Sequence, residues 1–262
     1  MHPALWISKT GLDAQQTDIS VISNNVANAS TVGYKKSRAV FEDLLYQTVN
    51  QAGGVSASNT KLPNGLNIGA GTKVVATQKM FTQGNMLTTD NSLDLMIEGP
   101  GFFEIQLPDG TTAYTRNGQF TLDDTGQIVT PGSGYLLQPA ITIPDNATSI
   151  TVSAEGEVSV KTPGTAENQV VGQLTMTDFI NPSGLDPMGQ NLYTETGASG
   201  TPIQGTASLD GMGAIRQGAL ETSNVNVTEE LVNLIESQRI YEMNSKVISA
   251  VDQMLSYVTQ NL

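Results

Sequence analysis

The sequence contains no cysteine and a single histidine, at position 2. Without thiols the chain can form no disulfide, thiolate nucleophile, iron–sulfur cluster or cysteine-based zinc site. One histidine beside the terminus argues against a Ser–His–Asp triad and against a histidine metal cluster. We therefore expect no catalytic residues, no metal site and no cofactor, and we favour a structural protein over an enzyme.

Basic residues are also scarce, because 12 lysines and arginines stand against 25 acidic residues, a net charge of −13. That charge repels phosphate backbones and disfavours nucleic-acid binding. No stretch approaches the roughly 20 apolar residues of a membrane-spanning helix, so we expect no membrane insertion. Residues 1–16 lack the basic and apolar regions of a cleavable signal peptide. Any export is therefore expected to leave the N-terminus intact.

Apolar residues are few for a globular chain, at 38% of 262 residues, and charged residues make up only 14%. Much of the remainder is uncharged polar side chains and 26 glycines. A chain of this length forms one large or two modest domains. We expect a small hydrophobic core.

Apolar residues spaced by seven predict a helix over roughly residues 3–30. Its polar face carries glutamine, threonine, aspartate and asparagine. The helix is expected to end before Gly33, which can leave the helical region at low cost. The repeating apolar residues are Leu5, Leu12, Ile19 and Val26, accompanied by Ile22 and Ala29.

A second seven-residue spacing predicts a longer helix over residues 228–261. Thr228 reads as its N-cap, with Glu229 and Glu230 in the first turn. A lone helix of this length buries too little apolar surface to offset the entropy of ordering it. It needs partners, namely the N-terminal helix and other copies of the chain. Its main apolar column is Leu234, Tyr241, Ile248, Leu255 and Leu262.

The middle of the chain, roughly residues 70–220, is predicted to form β-structure. Turn sequences at 108–110, 123–126 and 154–157 separate short apolar segments and predict hairpins. Many short strands without intervening helices favour an antiparallel sandwich or barrel. The polar, glycine-rich residues 46–72 are too long for an ordinary loop, so they are either functional or disordered until bound.

Three asparagines lie near the end of the first helix, Asn24, Asn25 and Asn28, and two interpretations of them are open. They terminate the helix, or they fix the register of a helix–helix interface. Asn224, with Gln238 and other amides near the second helix, fits the latter idea.

Three sequence blocks resemble the flagellar rod and hook family, the axial proteins of the bacterial flagellum. The first block comprises residues 10–16, 24–28 and 31–35, the second 99–103 and 114–120, and the third 221–231 and 238–242. Together they extend over most of the chain. Pro100 departs from the polar residue that is usual in the family.

The resemblance implies a mixed α and β fold in three parts. Residues 1–35 and 223–262 would pair long terminal helices as a coiled-coil-like domain that forms an inner tube. Residues 36–72 would form an intermediate region with a rod-type insertion at about 46–63. Residues 73–222 would form a β-rich outer domain.

Within the family, the length and residues 5–16, 41–47 and 191–196 resemble the distal-rod branch. This implies a structural subunit that polymerises helically into a rigid shaft and transmits torque from motor to hook. The implied location is the basal body, with the rod crossing the periplasm to the outer membrane. The implied partners are other copies, proximal rod proteins, the hook protein, the P-ring and L-ring proteins and the type III export apparatus. The alternatives are a hook or proximal rod protein and, remotely, a secreted β-rich adhesin.

Two sets of residues follow as hypotheses. The hypothetical rigidity insertion includes Tyr46, Gly53, Gly54 and Pro63. The hypothetical assembly interface comprises Leu5, Leu12, Ile19, Ile22, Asn24, Asn25, Val26, Asn28, Gly33, Asn224, Leu231, Leu234, Gln238, Arg239, Tyr241, Ile248 and Leu255.

Overall fold

The computed structural model describes residues 3–51, 55–57, 60–61, 63–164, 167–209 and 211–260. The chain divides into two compact units. The helical unit comprises residues 1–27, 37–79 and 226–262, and the β unit comprises residues 28–36 and 80–225. The predicted fold class is confirmed: helices at both ends of the chain flank an antiparallel, β-rich middle.

Two long helices dominate the helical unit: α1 (Pro3–Ala27) and α2 (Val227–Gln260). Both lie within three residues of the predicted ranges. Helix α2 begins after Asn226, whose side-chain oxygen accepts a hydrogen bond from Thr228 N at 3.1 Å. This Asn226 cap replaces the predicted Thr228 cap. Among the described helices, none is long and apolar enough to cross a membrane.

The described part of the helical unit also contains six strands. Strands β1 and β6 pair antiparallel, with a bulge between Val40 and Phe41, and both contact α1. The segment between them also pairs with itself, β2 with β5 and β3 with β4. The six are β1 (Ser37–Asp43), β2 (Gln47–Asn50), β3 (Val55–Ala57), β4 (Thr60–Lys61), β5 (Leu66–Ile68) and β6 (Thr72–Lys79).

The β unit is built from antiparallel pairs. Its strands are β7 (Met86–Thr88), β8 (Leu95–Glu98), β9 (Phe102–Gln106), β10 (Thr112–Thr115), β11 (Thr121–Leu122), β12 (Ile128–Val129), β13 (Leu136–Gln138), β14 (Ser149–Val152), β15 (Glu157–Lys161), β16 (Gln169–Gln173), β17 (Thr175–Asp178), β18 (Asp186–Gly189), β19 (Leu192–Thr194), β20 (Ile203–Thr206), β21 (Ala214–Gln217) and β22 (Ala219–Glu221).

Strand β9 is central to the largest sheet, with β10 along one edge and β13 and β17 sharing the other. The predicted hairpins are confirmed as β9–β10, β11–β12 and β14–β15. Smaller sheets are formed by β14–β15–β16, β8–β21 and β7–β22.

Two apolar clusters fill the described part of the β unit. The larger is mainly aliphatic and includes Ile105, Val158 and Leu174, all fully buried. The smaller is aromatic and is held by edge-to-face ring contacts, the geometry that aromatic pairs prefer. Its members are Phe102, Tyr114, Phe179, Leu185 and Tyr193, with Phe81 packed against them.

Candidate functional site

A buried charged cluster joins the three sequence blocks within the β unit. Lys35 comes from the first block, Arg116 from the second and Glu221 from the third. Lys35 Nζ lies 2.6 Å from Glu221 Oε1, and Arg116 Nη1 lies 3.7 Å from Glu221 Oε2. The side chains of Lys35 and Glu221 are each 1% exposed. One carboxylate therefore connects two cations that are remote from it in sequence.

Backbone groups fix each member of this cluster. Lys35 Nζ donates to the carbonyl of Thr82 at 2.8 Å, and Gly84 N donates to Glu221 Oε1 at 2.8 Å. Arg116 Nη1 donates to the Gly99 carbonyl at 2.8 Å. Such bonds offset part of the cost of removing charges from water.

The aromatic cluster encloses the arginine. The Arg116 guanidinium lies 5.2 Å from the centre of the Phe102 ring, within range of a cation–π contact. Burial lowers the pKa of Arg116 and of Lys35, whereas the Glu221 carboxylate opposes both shifts. Burial also raises the pKa of Tyr193, which contacts Phe81. The charges are therefore held in surroundings of low polarity, where an unpaired partner is costly.

Two atoms of the cluster have no hydrogen-bond partner among the described residues: Arg116 Nε and Glu221 Oε2. Both are buried, and buried polar atoms are normally satisfied by protein or by water. Arg116 also lines a cavity of about 230 Å³ in the β unit. The cluster thus contains one buried donor and one buried acceptor that make no hydrogen bond within the described part of the chain.

Gly33 brings the first block against the other two. Its backbone N donates to the Glu221 carbonyl at 2.8 Å, and its φ is +70°. A Cβ at this position would lie 2.7 Å from Asn117 N, too close for any L side chain. Gly33, included in the hypothetical interface, therefore has an evident role inside the β unit.

Asn224 ties three segments of the β unit together. Its side-chain oxygen accepts from Lys36 N at 2.7 Å, and its Nδ2 donates to the Met80 carbonyl at 2.8 Å and to Thr82 Oγ1 at 2.9 Å. Asn28 accepts a bond from Thr31 Oγ1 at 3.2 Å in the turn that follows α1. Both amides thus make contacts within the chain.

In the helical unit, polar residues form a repeating seam between α1 and α2. Asn25 Nδ2 donates to Glu230 Oε2 at 3.2 Å, and Ser237 Oγ donates to Asp18 Oδ2 at 2.8 Å. Gly11 faces Asn244, since a Cβ on Gly11 would lie 3.0 Å from Asn244 Nδ2. From one contact to the next, the residue on α1 lies seven positions earlier and its partner on α2 lies seven positions later. The helices are therefore antiparallel, with small or polar residues in the contact.

The predicted apolar residues flank this seam. On α1, Leu5, Leu12, Ile19 and Val26 are half-buried, Ile22 is buried and Asn24 is exposed. On α2, Leu234 and Ile248 are half-buried. The remaining members of the hypothetical interface on α2 are exposed in the single chain: Leu231, Gln238, Arg239, Tyr241 and Leu255.

Asn25 anchors α1 to both the next strand and α2. Its Nδ2 donates to the Ser37 carbonyl at 2.8 Å, and its Oδ1 accepts from Ser37 N at 2.9 Å. Replacing Asn25 with alanine removes these bonds from a buried site, so we expect a loss of about 1–3 kcal/mol. Hydrogen exchange at β1 and the start of α2 measures the loss. Ser23→Ala, at an exposed position on the same helix, is the control; an equal effect of both variants would contradict this role.

The described part of the hypothetical rigidity insertion is a paired ribbon rather than an unpaired loop. Tyr46 is exposed, and its ring approaches the backbone of Gly69. A hydrogen bond to Asp43 raises the pKa of Tyr46. Pro63 is exposed. Gly53 and Gly54 lie outside the described residues.

Lys35, Arg116 and Glu221 are not among the residues predicted from the sequence to be functional. One signal was available: the chain has only 12 basic residues, and three of them, Lys35, Arg116 and Arg239, fall inside the three sequence blocks. Nothing local, however, indicates that Glu221 is the partner of both Lys35 and Arg116.

Three family models match separate parts of the chain. The model described as the flagellar hook protein FlgE/F/G D1 domain matches residues 96–160. The flagellar basal body rod FlgEFG protein C-terminal model matches residues 216–261, and the flagella basal body rod protein model matches residues 6–35. These matches overlap the three sequence blocks.

Full-length relatives agree with these models. The flagellar basal-body rod protein FlgG of Buchnera aphidicola subsp. Schizaphis graminum is 55% identical over 99% of this chain and 100% of its own length. Its namesake in Borreliella burgdorferi is 48% identical over 100% and 99%. That of Bacillus subtilis is 40% identical, with 97% of each chain covered.

Proposed function

Because the chain belongs to the family of flagellar basal-body rod and hook proteins and is a structural subunit of the distal rod, we propose that it polymerises helically into the rigid shaft that transmits torque from motor to hook. The observation that carries this proposal is the exposed apolar surface of α2. The described residues of a single chain cover only one side of this helix, and other copies would bury the remaining apolar surface. Its exposed apolar residues are Val227, Leu231, Val232, Ile235, Tyr241, Met243, Val247, Met254, Leu255, Tyr257 and Val258.

The members of the hypothetical assembly interface that are exposed in the single chain are the proposed contacts between copies: Asn24, Leu231, Gln238, Arg239, Tyr241 and Leu255. The half-buried members are proposed to contribute at the edges of these contacts, whereas the buried Ile22, Asn25 and Gly33 pack within the chain. We retain the proposed division into an inner tube from 1–35 and 223–262, an intermediate region from 36–72 and an outer domain from 73–222. Exposed apolar residues on α2 support an inner position for the helices, because a tube wall buries them against neighbours.

The protein is a component of the axial assembly of the flagellar basal body. Its proposed axial neighbours are the proximal rod proteins and the hook protein, with P-ring and L-ring proteins around the outside. We further propose that it is exported by the flagellar type III apparatus without signal cleavage and that the rod crosses the periplasm. A mechanical role in a structural family requires no catalytic residue or cofactor.

Gene deletion in the source cell tests the function directly. Isolated basal bodies, viewed by electron microscopy, are expected to retain a rod stub without a distal section or hook. A complete rod that lacks only the hook would move the protein to the hook branch. Intact basal bodies with rod and hook would overturn the proposal.

The paired ribbon within residues 46–63 is the proposed source of stiffness. We expect deletion of 46–63 to give a curved or flexible polymer, because the ribbon would no longer bridge neighbouring subunits and prevent them from sliding. Curvature measured on electron micrographs of isolated rods tests this. A variant with a glycine–serine segment of equal length separates the role of the sequence from that of the spacing. A straight, stiff polymer from both variants would refute the idea.

A further inference from the structure

The chain contains two Asn–Gly pairs, Asn64–Gly65 and Asn117–Gly118. An asparagine side chain reacts most readily with the main chain when glycine follows it. Glycine has no Cβ, so its backbone nitrogen is accessible and the chain can bend towards the side chain. The first pair lies in the helical unit and the second in the β unit. The two pairs differ in exposure and in hydrogen bonding.

The pair Asn64–Gly65 lies in an exposed link between β4 and β5. Residues 63–68 are all exposed, and residues 63–65 belong to neither a helix nor a strand. Among the described residues, none is hydrogen-bonded to the Asn64 side chain or to Gly65 N. The side-chain amide can therefore approach the following backbone nitrogen in the presence of water, and no interaction with that part of the chain has to break.

The pair Asn117–Gly118 is held by its neighbours. Asn117 Oδ1 accepts a hydrogen bond from Gln119 N at 3.1 Å, and Asn117 N donates to Thr115 Oγ1 at 3.0 Å. Gly118 is buried, and its carbonyl accepts from Leu95 N at 2.9 Å. A Cβ on Gly118 would collide with the Leu95 carbonyl oxygen. Rotation of this asparagine towards Gly118 N would therefore break several contacts at once.

We propose that Asn64 is a site of spontaneous deamidation, with aspartate and isoaspartate as the products. Gly65 N gives its proton to a base in the solvent and attacks Cγ of Asn64. The Cγ–Nδ2 bond breaks, and Nδ2 takes up a proton and leaves as ammonia, which closes a five-membered succinimide ring. Water then opens the ring at Cγ, which gives aspartate, or at the main-chain carbonyl carbon, which gives isoaspartate. One water is consumed and one ammonia is released, so no further reactant is needed.

The products change the start of β5. Either product adds a carboxylate to a chain whose net charge is already −13. Isoaspartate also adds one carbon to the main chain immediately before this strand, where Leu66 is aligned with Asn50 of β2. An added backbone atom displaces the residues that follow relative to their partner strand. The reaction therefore alters the pairing of β2 with β5 and goes beyond the proposed structural function.

Incubation of the purified full-length chain in mildly alkaline buffer tests the proposal. Peptide mapping by mass spectrometry gives the converted fraction of each asparagine over time. We expect Asn64 to react about tenfold faster than Asn117 or more, because Asn117 reacts only after local opening of the β unit. The rate at Asn64 is expected to rise with pH, because Gly65 N must lose its proton. Equal rates at Asn64 and Asn117 would overturn the proposal.

Asn67 is the matched control within the same ribbon. It is exposed like Asn64, but Ile68 follows it, and the β-branched side chain of Ile68 screens the backbone nitrogen. In isoelectric focusing we expect the incubated chain to give an acidic band that Asn64→Gln removes, because the longer side chain would have to close a less favourable six-membered ring. Asn67→Gln is expected to retain the band. Persistence of the band in Asn64→Gln, or its loss in Asn67→Gln, would contradict the assignment.

The linkage of the product identifies the ring intermediate. A protease that cleaves only before normally linked aspartate is expected to leave part of the converted Asn64 peptide uncut, because isoaspartate resists it. Complete cleavage would mean that water hydrolyses the side-chain amide directly, and the ring mechanism would be wrong. None of these measurements requires polymerisation, so a negative result leaves the proposed function intact.

Discussion

Replacing Glu221 with alanine is expected to lower the free energy of unfolding of the β unit by about 3–5 kcal/mol. The substitution leaves Lys35 and Arg116 buried without their shared carboxylate, and an uncompensated buried charge is far more costly than a lost contact. The Gly84 N–H loses its acceptor as well. Hydrogen exchange along β9 and β22, measured in the full-length chain, reports the opening of this unit.

The control for Glu221 is a surface ion pair in the same unit. Glu98 lies 3.7 Å from Arg216, and both side chains are more than half exposed. Because water screens such pairs, Glu98→Ala is expected to cost only about 0–1 kcal/mol. If Glu221→Ala lowered the free energy of unfolding by no more than Glu98→Ala does, the buried cluster would not hold the three blocks together.

Gly33→Ala is expected to destabilise the β unit by about 3 kcal/mol or more, through backbone strain and collision combined. The positive φ is unfavourable for alanine, and the new Cβ would press on the backbone of Asn117, which cannot rotate away as a side chain could. Displacement of Gly33 would also weaken its bond to the Glu221 carbonyl. The change in protection of β9 and β10 from hydrogen exchange measures the effect.

Gly132→Ala separates the two contributions. Gly132 has a φ of +87°, but a Cβ there would meet nothing within 4 Å. This variant therefore carries the backbone strain alone, which is about 1–2 kcal/mol. An equal loss at the two positions would mean that the close approach of Gly33 to Asn117 is unimportant.

The helices and hairpins could be predicted from the sequence because their signals are local. Seven-residue spacing located α1 and α2 to within three residues, and three turn sequences located three hairpins. The resemblance to the flagellar rod and hook family is confirmed by the full-length relatives. Periodicity and turn chemistry act over a few residues, so one sequence suffices to read them.

The charged cluster and the helix seam could not be predicted in this way. Lys35 and Glu221 are brought together by the β unit, and no local pattern specifies such a distant partner. The apolar heptads correctly indicated where the helices lie but not what occupies the closest contact, where Asn25, Asp18 and Gly11 face polar residues of α2. Small and polar residues allow the two helix backbones to approach each other. Hydrogen bonds between the helices then pair the buried polar side chains.

The spacing of that seam makes the two helices resistant to slippage under load. If α2 moved by seven residues in one direction, Asp18 would come opposite Glu230, placing two carboxylates face to face. In the other direction, Val251 would come opposite Gly11, and Glu230 would lose the amide of Asn25. The apolar side chains recur at the same interval and would tolerate either move. Two helices that met only through apolar side chains could therefore shift their register by seven residues under torque. The polar contacts of α1 and α2 favour one register only.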